Sequence, residues 1–168
     1  VTSPPVPLRK ADLLSDHTVF SVEFTADGRS VAGAGKGATW WPLTGPGEPQ
    51  LMTKLAGNEP PRALGFAADG RSMVSVHSSG DVSFWDTSRP GKPVPRTTWP
   101  SGARVFIAGL SPDLRLAALA GRDQKVSLVD ISNPASPTRL GETETGESIS
   151  KLSLSPDGQT LAVGSHEA

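Results

Sequence analysis

Apolar and polar residues alternate along this chain in short runs: VFSVEF (19–24), RALGF (62–66), RVFIAGL (104–110) and ISKLSL (149–154). Period-2 alternation of this length predicts β-strands with two unlike faces. Each run leads into an aspartate-centred turn: FTADGRSV (24–31), FAADGRSM (66–73), LSPDLRLA (110–117) and LSPDGQTL (154–161). This is one motif written four times, with Asp27, Asp69, Asp113 and Asp157 spaced by 42, 44 and 44 residues. Asp-Gly turns the chain because glycine accepts positive φ without steric cost. A small, nearly continuous apolar run follows each turn (SVAGA, SMVSV, RLAALA, TLAVG), and its lack of polar alternation predicts a strand buried on both faces. A third strand is expected at ATWWPL (38–43), DVSFWDT (81–87) and KVSLVDI (125–131). Each period closes with a proline-rich connection and a polar outer strand: GPGEPQLMTKL, RPGKPVPRTTW and NPASPTRLGET. Prolines fit there if that strand lies on a sheet edge, where a missing amide donor costs little.

Composition narrows the picture further. A chain of 168 residues is long enough for one domain with a real core. Its net charge of −1 sets up no field that advertises nucleic acid or an anionic membrane. The basic stretch carrying Arg89, Lys92, Arg96 and Arg104 reads as solvated loop charge. Absence of cysteine excludes disulfides, thiolate metal sites and a cysteine nucleophile. Eighteen glycines and 16 prolines favour many short strands and turns over helices. No apolar run approaches the ~20 residues of a membrane span, and VTSPPVPLRK lacks the apolar centre of a signal peptide.

Four antiparallel strands per period, with Trp85–Asp86 closing the third strand, resemble the WD-repeat (WD40) β-propeller family over essentially the whole chain. The resemblance implies an all-β fold of β-propeller blades with four antiparallel strands each. It implies a partial ring, about 3.5–4 blades of a larger, seven-bladed type of propeller. In that frame residues 1–17 form the outer strand of a preceding blade, and 18–59, 60–102 and 103–147 are blades. Residues 148–168 are then the first two strands of a further blade. Open blade edges would make the isolated segment self-associate.

Departures from the family pattern carry information too. Trp41–Pro42 and Val129–Asp130 stand where the Trp-Asp dipeptide belongs in the first and third blades. The family's Gly-His pair before the first strand survives only as Asp16–His17, with Asn58–Glu59, Gly102–Ala103 and Gly146–Glu147 at the equivalent places. The buried His/Asp/Ser/Trp hydrogen-bond network that braces family blades is therefore expected to be mostly missing, with His17 as its one matching histidine. VSLVDISNPASPTRLG is similar to bacterial propeller repeats, which points to a divergent bacterial type.

The stretch SVAGAGKGATWW (30–41) looks at first like a phosphate loop. The pattern GxxxxGK[ST] needs Gly at 30 and Ser or Thr at 37, where Ser30 and Gly37 stand, and a helix should follow where a strand is expected. The glycines read as a tight hairpin with Lys36 at its tip. His17, His77 and His166 fall at different repeat positions, which argues against a metal site. There is no GxSxG elbow, and the repeating aspartates serve turns. Trp41 and Trp85 are placed to pack between blades, Trp40 points the other way, and Trp99 reads as packing on an outer strand.

The expected function is a non-enzymatic scaffold for protein–protein interaction, the sensor or assembly module of a larger bacterial signalling protein. In the family, loops before the first strand and between the second and third line one rigid face. Here they offer His17, Asn58, Glu59, Arg62, Ser78, Ser79, Arg104, Arg122, Asp123, Glu147 and His166 as candidate contacts. Their mixed charge suits a protein partner rather than nucleic acid or membrane. No cofactor, metal or catalytic residue is expected, and a cytoplasmic location is. The competing reading is a propeller hydrolase or lactonase with acids or a metal at the central tunnel; Gly102–Ala103 removes one blade's contribution to it.

Overall fold

The computed structural model describes residues 18–35, 38–42, 50–51, 59–89 and 92–166, and every regular element among them is a β-strand. The first sheet runs β1 (Val19–Phe24), β2 (Ser30–Gly35), β3 (Ala38–Pro42) and β4 (Gln50–Leu51) in spatial as well as chain order. The second repeats that meander with β5 (Pro61–Phe66), β6 (Ser72–His77), β7 (Asp81–Asp86) and β8 (Val94–Pro100). The third does so with β9 (Ile107–Leu110), β10 (Leu116–Ala120), β11 (Lys125–Asp130) and β12 (Thr138–Glu144). A two-stranded sheet, β13 (Ser148–Leu154) and β14 (Leu161–His166), comes last. All pairings are antiparallel, and the four sheets stand as blades one to four of an open, propeller-like arrangement. The segment 1–17, and the Gly-Lys-Gly tip at 36–37, lie outside the described residues.

The repeated aspartates build the first hairpin of every blade. Asp27 accepts the Arg29 amide at 3.0 Å, Asp69 that of Arg71 at 2.8 Å, Asp113 that of Arg115 at 3.0 Å and Asp157 that of Gln159 at 3.0 Å. Such bonds to a carboxylate favour its charged form. They hold Asp27, Asp113 and Asp157 below the ordinary range, the Arg29 amide leading at Asp27 and the Ser111 and Ser155 hydroxyls leading at the other two. Gly28, Gly70 and Gly158 supply the positive φ of the turn, whereas blade three uses Leu114 at φ 55°.

Second strands are buried on both sides in three blades, β2 throughout and β6 and β10 beyond their first residues, but the expectation fails for β14, where Ala162 and Val163 are exposed. Their small side chains let blades stack closely. Ala32, Ala34 and Trp40 of blade one meet Leu64, Met73 and Trp85 of blade two. Trp40, not Trp41 as its strand position suggested, thus shares this core with Trp85, and it stands edge-on to Phe66 with the ring centroids 5.2 Å apart. Val74, Val76 and Phe84 pack on Ala117, Leu119 and Val129 between blades two and three. Ala118, Ala120 and Val126 meet Ile149, Leu152 and Leu154 between blades three and four. Fully burying each large apolar side chain contributes about 1.5–3 kcal/mol, so these interfaces hold the blades in line. Pro95 and Pro100 sit on β8, whose only strand partner among the described residues is β7, and Trp99 packs half-buried against the second of these cores.

Candidate functional site

Blade two carries a buried relay that the repeat pattern did not lead one to expect there. Trp85, Ser75 and His77 occupy one side of adjacent strands, since residues two apart on a strand face the same way. The Trp85 indole N–H donates to Ser75 Oγ at 2.9 Å, and Ser75 Oγ lies 2.9 Å from His77 Nε2. His77 Nδ1 is 3.1 Å from the Glu59 carbonyl, which can only accept, so Nδ1 holds the proton and Ser75 donates to Nε2. Burial pushes the His77 pKa below its ordinary value, against the opposing pull of the Glu59 carbonyl and of Asp81. Blade two thus holds a Trp/Ser/His network whose histidine comes from the second strand. Blade one has Gly33 and Gly35 in place of Ser75 and His77, and blade three has Val129 in place of Trp85. Trp41 fills the vacated space: a Cβ on Gly33 would lie 2.7 Å from its ring.

That relay braces one end of the blade, where the chain enters the inner strand and crosses from the second strand to the third. Ser78 Oγ donates to Glu59 Oε2 at 2.8 Å and the Ser78 carbonyl accepts the Val105 amide at 3.1 Å. Ser101 N bonds Gly80 O at 3.2 Å, so the turn of blade two docks onto the entry segment of blade three beside Arg104. Ser79 donates to Asp81 at 2.9 Å, and Asp123 accepts the Lys125 amide at 3.4 Å, which makes both side chains part of their hairpin turns. Glu147 is bonded by Ser165 in blade four. His17, Asn58 and the side chain of His166 lie outside the described residues.

Arg62 and Arg122 come together through two phenylalanines. The Arg62 guanidinium carbon lies 4.3 Å from the centroid of Phe20 and 5.1 Å from that of Phe106, and Arg122 stands 4.7 Å from Phe106 on the same row. Each distance is within cation–π range. Phe20, Arg62 and Phe106 occupy one repeat position, four residues before the end of the first strand in successive blades; Ser150 holds it in blade four. Phe20 and Phe106 are 46 % and 41 % exposed. Among the described residues no carboxylate pairs with Arg62, Arg104 or Arg122, whereas outer-strand charges do pair: Arg96 with Asp86 at 2.9 Å and Lys125 with Glu142 at 3.2 Å. Beside the row a cleft of about 420 Å³ is lined by Arg104, Arg122, Asp123, Arg139 and Glu142.

The inner strands surround a cavity of about 360 Å³ into which Glu23, Gly65, Gly109 and Lys151 contribute. Partial burial raises the Glu23 pKa, and the Lys151 charge acts in the opposite sense. Among the described residues no group of three or more His, Asp or Glu could hold a metal ion, and no helix is long and apolar enough to cross a membrane. No protein-family model matches the chain, and no curated protein matches it in sequence.

Proposed function

We propose that this chain is a non-enzymatic WD-repeat-type propeller scaffold, a divergent bacterial module that binds a protein partner through the blade end just described. The observation that carries the reading is convergence. Arg62, Arg104 and Arg122, from two blades, share one end with Phe20 of a third, and among the described residues none of the three forms an ion pair. Blades packed through buried cores hold these groups in place before a partner arrives, so binding would cost little ordering entropy. Arginine beside exposed aromatic rings is also the composition of binding hot spots. Charge reversal tests it: Arg104→Glu is expected to weaken partner capture without moving the melting temperature. Arg29→Glu, in the turn at the opposite end of blade one, is expected to leave capture intact. Equal loss from both variants, or from neither, would sink the reading.

A further inference from the structure

Resting on that scaffold reading, we infer that the Phe20–Arg62–Phe106–Arg122 row is a docking strip for an acidic peptide segment with apolar side chains between its carboxylates. A guanidinium stacked on a ring spends its faces on π contact and keeps its in-plane N–H groups for acceptors. Arg62 and Arg122 make no hydrogen bond among the described residues, and Arg62 Nε is buried without an acceptor there. Stacking also restrains both side chains, so little freedom remains to be lost when a carboxylate is gripped by the terminal Nη groups.

Neither Arg62 nor Arg122 forms an ion pair among the described residues, although Asp123 lies beside Arg122 in the same cleft. Glu59 is bonded by Ser78 at 2.8 Å. Blade three has Ala103 where blades two and four have Glu59 and Glu147, and Arg122 where blade two has Ser78. The chain thus exchanges an acid–serine pair for a lone cation at the place where the row passes. Two half-exposed phenyl rings alternate with the cations, so the matching ligand alternates Asp or Glu with Leu, Ile or Phe.

The test is fluorescence anisotropy of the 168-residue chain with a labelled Glu/Leu 12-mer. A matched Lys/Leu 12-mer, a single-stranded oligonucleotide and inorganic phosphate serve as competitors. Expected is binding of the Glu/Leu peptide at least tenfold tighter than the Lys/Leu peptide, weakened by salt and displaced poorly by phosphate. Arg122→Gln, at an exposed position, should lower that affinity about tenfold with an unchanged melting curve. Phe106→Leu should lower it severalfold, and Arg62→Lys should not restore what Arg62→Gln loses. Equal binding of both peptides, oligonucleotide binding as tight as the Glu/Leu peptide, or indifference to Arg122→Gln and Phe106→Leu would overturn the inference. If the strip variants have no effect while Arg104→Glu still abolishes capture of a protein partner, the strip alone fails. If Arg104→Glu is silent as well, the scaffold reading fails with it.

Discussion

Trp85 donates its indole N–H to Ser75 Oγ at 2.9 Å, which joins the third strand of blade two to a relay whose direction the Glu59 carbonyl sets. With one proton arriving from Trp85, the serine hydroxyl sends its own to His77 Nε2 and leaves Nδ1–H for the Glu59 carbonyl. All participating side chains are almost fully buried, so no water competes for them. Removing the middle member orphans groups on both sides. Ser75→Ala is expected to cost about 1–3 kcal/mol, a loss of several degrees in Tm by thermal unfolding. The reverse change in blade one, Gly33→Ser, should not install the relay, because the new Cβ would meet the Trp41 ring at 2.7 Å. It too should destabilise, and an increase in Tm would show that Trp41 can vacate the site.

His77 makes the fold sensitive to mild acid. Its folded pKa is lowered, so the folded chain stays neutral there while an unfolded histidine takes up a proton below about pH 6.5. Between the unfolded and the lowered folded value the unfolded state binds more protons, and stability falls as pH falls. Protonation of Nε2 would also turn the acceptor of Ser75 into a donor, leaving the hydroxyl proton without a partner. Asp81 is the acid that acts on the ring through space, and it only moderates the shift. Equilibrium denaturation should therefore give lower stability at pH 5.5 than at pH 7.5, with the slope diminished in His77→Gln. The slope should survive His17→Gln combined with His166→Gln; if it follows those two instead, His77 is not the sensor.

Much of this architecture is legible in the residues, for local reasons. Period-2 alternation and the Asp-Gly turn are short-range signals, and the observed β1, β5 and β13 begin within one residue of the runs that announce them. Blade three's first strand starts at Ile107, later than RVFIAGL suggests, because the Val105 amide is taken by Ser78 of blade two. The relay and the Phe/Arg row were harder to see for the same kind of reason. Family resemblance places the bracing histidine before the first strand, which drew attention to His17. Only the i, i+2 spacing of Ser75 and His77, on the side shared with Trp85, marks the alternative. Phe20, Arg62 and Phe106 are over 40 residues apart in sequence and become neighbours only when blades stack. The one hint was a repeat position occupied in turn by Phe, Arg, Phe and Ser, too mixed for a core.

Among the described residues, two other than glycine hold positive φ, and their surroundings predict opposite outcomes on substitution. Gln124 sits at φ 61° on an exposed turn, where blade two has Gly80 at φ 93°. Left-handed backbone costs an L side chain about 1–2 kcal/mol, so Gln124→Gly should stabilise by up to about 1 kcal/mol after the added chain entropy is deducted. Leu114, at φ 55°, carries the same strain but packs half-buried against the core between blades two and three. Its lost packing outweighs the relief, so Leu114→Gly should lower Tm while Gln124→Gly raises it. A matching response at the two sites would mean that Leu114 is not held in place by its neighbours.

One side of β1 exposes what its counterparts bury. Val22 and Phe24 are 59 % and 65 % exposed, whereas Leu64 at the position of Val22 is 2 % exposed and Phe66, at that of Phe24, packs on Trp40. In blade four, β14 has no further strand paired to it among the described residues. An apolar sheet face and a free strand edge are both adhesive in water. The 168-residue chain is therefore expected to self-associate at micromolar concentration, seen as concentration-dependent sedimentation. The pair Val22→Asp and Phe24→Asp lies on the exposed side and away from the Arg62 stack, so it should shift the population to monomer without loss of the β-sheet circular dichroism signal. Charged substitutions at Arg62 or Arg122 should leave association unchanged, since the adhesive face is the apolar one. A wild-type chain that sediments as a monomer at every concentration would show that this face is covered in solution.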